Sequence, residues 1–315
     1  MRHVVGVSIG SSSRDHRVEI ELLGEQFIIE RIGTDGDLQR AIQLVAELDG
    51  RVDAFGMGGI DHYIYAGTRR YCLKDAQRIA DAARSTPIVD GSGLKNSLER
   101  WAVDYVDHRT DIGLRGRRVL IVVAVDRFGM AEAFTQLGCE MTFGDLCFGL
   151  GVPVRLHSLG ALDIVARVLA PVVVKLPFRL LYPTGDKQKQ VVPRHSRLFD
   201  WAEVIAGDFH YIRRYMPERL DGKVIMTNTV TPENVAEIGD RGAACLIATT
   251  PSLDGRSFGT NIMEAVLLVL SGKRPEEITA SDYLQLIKEL EFKPRIERFL
   301  DPTEASRVKP VSARI

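Results

Sequence analysis

The sequence predicts an α/β protein of two domains, the second built on a doubly wound parallel sheet and the first a smaller α/β layer structure with a β-hairpin. Three observations carry this prediction. Strand-like apolar runs alternate with helical stripes along most of the 315 residues. One of those runs, Val119 to Val125, lacks the alternation of a half-exposed strand, as expected for a strand covered on both faces. A polar, basic, glycine-containing stretch, Asp107 to Arg117, separates a less regular first part from a regular second. The expected division is residues 1–112, residues 113–256, and residues 257–315, the last a set of helices returning to the domain interface and a tail.

The first part opens with a strand, His3 to Ile9, and a Gly10-Ser11-Ser12-Ser13 turn. Two strands follow, Arg17 to Leu23 and Gln26 to Ile32, and Gly24-Glu25 between them reads as a hairpin. Asp37 caps a helix whose stripe is Leu38, Ala41, Ile42, Val45 and Leu48, closed by Gly50. Val52 to Phe55 then runs into Gly56-Met57-Gly58-Gly59, Asp75 to Arg84 is helical, and Pro87 to Val89 runs into Asp90-Gly91-Ser92-Gly93 before a helix from Leu94 to Val106.

In the second part, Met130, Phe134 and Leu137 make a helical stripe ended by Gly138, and Glu140 to Phe143 makes the next strand. Further strands are expected at Pro171 to Leu176, Ala202 to Ala206, Lys223 to Thr227 and Ala244 to Thr249, with helices at Leu159 to Leu169 and Pro232 to Arg241. Such alternation implies right-handed crossovers and a Rossmann-like sheet. Ser257 to Leu270 is apolar almost all round, so this helix must be covered on several sides, between the domains or against a sheet. Thr279 with Asp282 offers a capping box for a helix ending at Leu290, and the chain turns polar and basic after Phe299.

Bulk properties exclude several classes. Composition is 45% hydrophobic and 26% charged, ordinary for globular cores, and 41 basic against 42 acidic residues give no general attraction to nucleic acid or anionic membrane. The densest apolar run, Ala265 to Leu270, is too short to span a bilayer, and the start carries no signal-like segment. A cytoplasmic protein without nucleic-acid or membrane partners is expected, with a homo-oligomer left open. Cys72, Cys139, Cys147 and Cys245 are scattered, which suits free thiols, and no spacing points to a metal.

Ligands of open parallel sheets collect beyond the carboxyl ends of strands, where strand order reverses. In the second domain this selects Asp126, Arg127, Asp145, Thr227 and Asn228, with Gly129 at the start of the helix, as cofactor-binding candidates. Asp145 ends the second strand about twenty residues after the first turn, the place of a carboxylate that grips the ribose of NAD; its other reading is a turn cap. Arg127 could reach a phosphate bidentately or pair with Asp126 or Asp145. The turn itself is poor in glycine: Val123 and Val125 stand where a dinucleotide fingerprint needs its first two glycines, and Gly129 alone remains for helix packing. In the first domain, Asp90-Gly91-Ser92-Gly93 leads straight into a helix, so its amides and Lys95 could hold a carboxylate or phosphate. Arg256, Ser257 and Asn261 sit in a polar loop before the apolar helix and could grip an anion or polyol.

Gly6, Ile9, Ser11 and Ser13, together with Met263-Glu264-Ala265 and Ser271-Gly272-Lys273-Arg274-Pro275, resemble the amino-terminal substrate loop and closing helix of the shikimate/quinate 5-dehydrogenase group, and in particular of bacterial proteins named quinate 5-dehydrogenase by similarity. The resemblance implies NAD or NADP as cofactor, Ser11 and Ser13 at the substrate, and a Rossmann-like second domain. Where that group has a helix after the first loop, Val18 to Leu22 here reads as a strand, and Lys95 with Asp90 or Asp61 stands in for its catalytic Lys and Asp. The leading functional expectation is therefore an NAD(P)-linked dehydrogenase of a small polyhydroxy carboxylate, with Lys95 and Asp90 catalytic and Ser11, Ser13, Arg256, Ser257 and Asn261 binding substrate. The alternatives are a non-catalytic ligand-binding or regulatory protein that has lost dinucleotide binding, and an enzyme holding a phosphorylated metabolite through Arg127.

Overall fold

A computed structural model describes residues 1–66, 69–175, 190–253 and 256–299, and gives the backbone alone at 64–66, 69–70, 252–253 and 256–257. In chain order the elements begin with β1 (Arg2–Ser8), β2 (His16–Leu22), β3 (Glu25–Gly33), α1 (Leu38–Leu48), β4 (Ala54–Gly58), β5 (Tyr63–Ala66), β6 (Arg69–Cys72), α2 (Lys74–Ala80), β7 (Ile88–Val89) and α3 (Ser92–Arg109). Next come β8 (Arg118–Ile121), α4 (Phe128–Gln136), β9 (Glu140–Phe143), α5 (Leu159–Val173), α6 (Ser196–Trp201), β10 (Val204–Ala206), α7 (Phe209–Tyr215), β11 (Val224–Thr227) and α8 (Pro232–Asp240). The rest are β12 (Cys245–Ala248), β13 (Ser252–Leu253), β14 (Arg256–Ser257), α9 (Thr260–Ser271), α10 (Ala280–Glu289) and β15 (Arg295–Arg298). These group into two compact units, one of Met1–Leu98, Ala166–Gln188 and Ser252–Phe292, the other of Glu99–Val165, Lys189–Pro251 and Lys293–Ile315.

The first unit carries a sheet of order β2-β3-β1-β4-β7, parallel throughout except for the antiparallel β2-β3 pair. The hairpin turn is Leu23-Gly24, one residue earlier than expected, and both residues have positive φ (49° and 82°), as the tight two-residue turn requires. Val5, Val7, Phe55 and Met57 pack with α1 and α2 in a single core. The apolar helix α9 lies against β4, β1 and β7. It comes close because the sheet surface beneath it is bare: a Cβ on Gly6 would fall 2.3 Å from the Ile262 side chain, and one on Gly56 2.8 Å from the Asn261 carbonyl oxygen. Strand order reverses between β1 and β4, so their carboxyl ends form a switch point.

The second unit has parallel strands in the order β9-β8-β10-β11-β12, with β15 antiparallel at the far edge. Helices α4, α7 and α8 make the crossovers. This is a Rossmann-like doubly wound sheet, with one difference among the described residues. Where a dinucleotide-binding sheet adds another parallel strand beyond its second, Leu156 makes a lone antiparallel bridge to Phe143. Val119 and Ile121 belong to the core on one face and Leu120 and Val122 to the core on the other, which explains the unbroken apolar run.

Two local expectations are corrected. The valine run overshoots its strand: β8 ends at Ile121, the Val122 amide still bonds Ala206 of β10, and the Ala124 and Val125 amides turn to Asp145. Pro171 to Lys175 is no strand: α5 runs to Val173 with Pro171 inside it, the Val174 amide still bonds the Ala170 carbonyl, and Val174 packs on the first unit's core, so tertiary contacts override the β-branched run. Leu176 lies outside the described residues. The edge strand β15 and the β5-β6 hairpin had no sequence expectation at all. The capping box of Thr279 and Asp282 is present at α10. Among the described residues, no helix is long and apolar enough to cross a membrane.

Candidate functional site

In the second unit, the strand ends gather the expected cofactor residues and then join them to one another. After β8 the chain makes a single 3-10 turn, Val125–Arg127, and enters α4 with Gly129 buried in its first turn. The amides of Ala124 and Val125, which a dinucleotide fold would offer to a phosphate, donate instead to Asp145 Oδ1 at 2.9 Å each. Gly144 lets Asp145 reach there, because a Cβ at 144 would lie 2.8 Å from the Val122 carbonyl oxygen and closer still to the Phe148 ring. Burial pushes the Asp145 carboxyl up to about 6 despite the two amide bonds, and the nearby Asp126 charge adds to the rise.

Arg127 is 4% exposed and meets three carboxylates: Glu99 through Nη1, Asp208 through Nη2 at 3.1 Å, and Asp126 through Nε at 3.5 Å. Burial opposes its charge, but the three acids outweigh burial and raise its pKa. Asp208 also caps α7 through the His210 amide and accepts from Asn228 Nδ2 at 2.8 Å. Burial disfavours its charge, yet His210 and Arg127 hold its pKa below the ordinary value. Asn228 Oδ1 accepts the Phe209 amide, and the buried Thr227 hydroxyl donates to the Gly207 carbonyl at 2.8 Å. One guanidinium among Glu99, Asp126 and Asp208, beside Asp145, leaves the region acidic. The Ala124 and Val125 amides and the Arg127 guanidinium, the groups of this turn that a phosphate would need, are thus already paired within the chain. Glu99 was missed by sequence reasoning. Its signal is its spacing, four residues before Val103 and seven before Val106 on the buried stripe of α3.

In the first unit, the polar residues sit at the carboxyl ends of β3, β1, β4 and β7. Lys95, on the first turn of α3, places Nζ 3.1 Å from Asp61 Oδ1, and the side chains are 9% and 20% exposed. The carboxylate that Lys95 reaches is thus Asp61, just beyond β4. Asp90 uses both oxygens to brace the turn, accepting the His62 and Tyr63 amides on one and the Ser92 amide and hydroxyl on the other. Asn261, in the first turn of α9, and Ser8, at the end of β1, both border Gly58: a Cβ there would lie 3.0 Å from Asn261 Nδ2 and 3.3 Å from Ser8 Oγ. Arg31 donates to Ser8 Oγ at 2.9 Å, to the Ser11 carbonyl at 2.9 Å and to Asp15 at 2.7 Å. Burial lowers its pKa while Asp15 works against the drop.

Ser11 and Ser13 bond each other, Oγ to Oγ at 2.9 Å. Ser11 caps the 3-10 turn Ser12–Arg14. The side chains of Arg256 and Ser257 lie outside the described residues. Arg31 was also missed; it follows Phe27 and Ile29 at strand period on one face of β3, and an arginine continuing a buried face is the signal. Behind the turn, Glu264 of α9 is 4% exposed, accepts the Tyr283 hydroxyl at 2.9 Å, and presses so close to Gly93 that no Cβ would fit there. Burial pushes this carboxyl up to about 8, with Asp90 adding to the rise and the Tyr283, Gly91 and Gly93 bonds opposing it. Among the described residues, no group of three or more His, Cys, Asp or Glu is placed to hold a metal ion.

Residues 93–299 match the family described as a domain of unknown function (DUF8754), and residues 3–90 match another domain of unknown function (DUF8753). No curated protein matches the chain. Among solved structures, it is similar to a hetero-hexameric glutamate dehydrogenase from Thermus thermophilus in its Leu-bound form, at 14% identity over 92% of this chain and 74% of that one, TM-score 0.42. It is similar also to an NAD-dependent malic enzyme from Thermotoga maritima, at 12% identity over 92% of this chain and 84% of that one, TM-score 0.36. An ABC transporter solute binding protein from Agrobacterium vitis, bound with alpha-D-tagatopyranose, gives 10% identity over 99% of this chain and 100% of that one, TM-score 0.38. Likenesses this low carry no ligand or activity across.

Proposed function

The chain belongs to the family described as a domain of unknown function (DUF8754), and for it we propose binding of a small polyhydroxylated carboxylate at the carboxyl edge of the first unit's sheet, without pyrophosphate capture in the second unit. The observation that carries this reading is the pair of buried Lys95 and half-buried Asp61, 3.1 Å apart beyond β4 and β7. Close by in the fold, Ser8, Asn261 and Arg31 cluster at the switch point. Two cations for the carboxylate and hydroxyl-bonding groups for the ring suit that ligand class.

Quinate, a polyhydroxylated carboxylate, is the probe. Changing Lys95 to Met keeps the stem and removes the charge; paired with Asp61→Asn, it leaves no buried carboxylate without a partner. Calorimetric titration should show affinity for quinate lower by about 1.5–3 kcal/mol in the double variant, the scale of a charge-assisted hydrogen bond. Equal affinity in a folded double variant would remove Lys95 from the site.

A second reading, NAD(P)-linked oxidation of the same ligand class, is favoured by the same pair, since a buried lysine beside a carboxylate can hold and pass the proton of an alcohol. The filled turn after β8 argues against it. NAD and NADP should each bind more weakly than about 1 mM, because neither the Ala124 and Val125 amides nor Arg127 can turn to a phosphate without exposing a buried carboxylate. Micromolar binding of either would restore the dehydrogenase reading. A cytoplasmic location belongs to this proposal.

A further inference from the structure

His16 opens β2, and its ring is held on two sides. Nδ1 lies 2.9 Å from the Arg14 carbonyl oxygen, and a carbonyl can only accept, so Nδ1 carries a proton. In the neutral ring Nε2 then presents a lone pair. That nitrogen is buried and has no hydrogen-bond partner among the described residues. The ring face stacks on Phe258, centroids 4.3 Å apart and planes inclined by 30°. Phe258 is fully buried and directly precedes Gly259, the cap of α9, so the histidine is anchored beside the helix start that carries Asn261.

We propose that His16 is a specificity-determining residue of the first-unit site, its Nε2 accepting a hydrogen bond from one hydroxyl of the ligand. The inference rests on the polyhydroxylated-carboxylate reading and sharpens it. A lysine and an arginine recognise any carboxylate; an acceptor fixed in one tautomer and held by a stack recognises a donor at one position. The acceptor is already buried and without a donor in the unliganded chain, so discrimination comes from the bond that the hydroxyl adds, and the analogue that lacks the hydroxyl gains nothing there.

The test compares quinate with cyclohexanecarboxylate, which keeps the ring and the carboxylate and lacks the hydroxyls, in the wild-type chain and in His16→Phe. Phenylalanine preserves the stack and removes both nitrogens. The expected result is a preference for quinate that falls by about ten- to a hundredfold in His16→Phe, the range for losing one partner of a buried acceptor, while affinity for cyclohexanecarboxylate is unchanged. In ¹⁵N spectra of the wild-type protein, His16 Nε2 should carry an unprotonated, weakly bonded shift that moves on adding quinate and stays on adding cyclohexanecarboxylate. Binding of both compounds with the same preference in both proteins, or an Nε2 shift indifferent to quinate, overturns the role of His16 and leaves the ligand class standing. Failure of both compounds to bind the wild-type chain overturns the ligand class and this role with it.

Discussion

Replacing Arg127 with methionine is expected to destabilise the second unit by about 3–5 kcal/mol, the cost of leaving a buried carboxylate without its partner. Glu99 is the reason. Its side chain is 2% exposed and faces the guanidinium directly, whereas Asp208 keeps Asn228 and the His210 amide, and Asp126 has access to water. Combining Arg127→Met with Glu99→Gln should recover part of the loss, since the amide carries no charge into the core. Thermal unfolding followed by circular dichroism checks both; a single-variant loss under about 1 kcal/mol would mean that the cluster is far more hydrated than its burial indicates.

Glu264→Gln is expected to stabilise the first unit in a pH-dependent way. The carboxyl is raised from the ordinary 4.5 to about 8, chiefly by burial. A raised acid binds a proton in the folded state that the unfolded chain has already released, so folding stability falls as pH climbs from about 4.5 to about 8 and then levels. At about 1.4 kcal/mol per pH unit, that interval allows up to ~5 kcal/mol. Glutamine imitates the neutral acid and still accepts from Tyr283 and the Gly91 and Gly93 amides, so the slope should vanish. Urea midpoints between pH 5 and pH 9 read this out: the variant should match the wild type near pH 5 and exceed it at pH 8. A variant weaker than the wild type at pH 8 would show that Glu264 is held as the anion by its three donors.

Strand positions were legible where burial alone decides them. The apolar runs of β8, β10, β11 and β12 need nothing but two covered faces, and the polar face of α1 announces its orientation. Competition between neighbours was less legible. Val122 to Val125 has the composition of a strand, yet two of its amides meet a carboxylate that is remote in sequence, and no local propensity encodes that meeting. The same holds for Arg127, whose three partners come from α3, from its own turn and from the end of β10. In the first unit, the sequence offers Lys95 either Asp90 or Asp61, and the choice between them depends on how β4 and β7 sit side by side, which brings Asp61 to Lys95 and leaves Asp90 bracing the turn. Arg31 and Glu99 were hidden by the habit of reading charged residues as solvated, although each continues a buried face.

The carboxylate of Asp145 on the Ala124 and Val125 amides makes the turn after β8 a receptor that arrives already loaded. Its occupant cannot diffuse away, because the chain holds it there at an effective concentration of at least about a millimolar. A phosphate compound in solution therefore competes with a tethered rival, and at ordinary metabolite levels occupancy stays with the rival. The contest weakens as acidity rises through about pH 6, where the carboxyl takes up its proton and gives up its charge. Shortening Asp145 to alanine would evict the occupant and turn a self-satisfied loop into an open anion receptor, still ringed by acids that argue against every anion but the smallest.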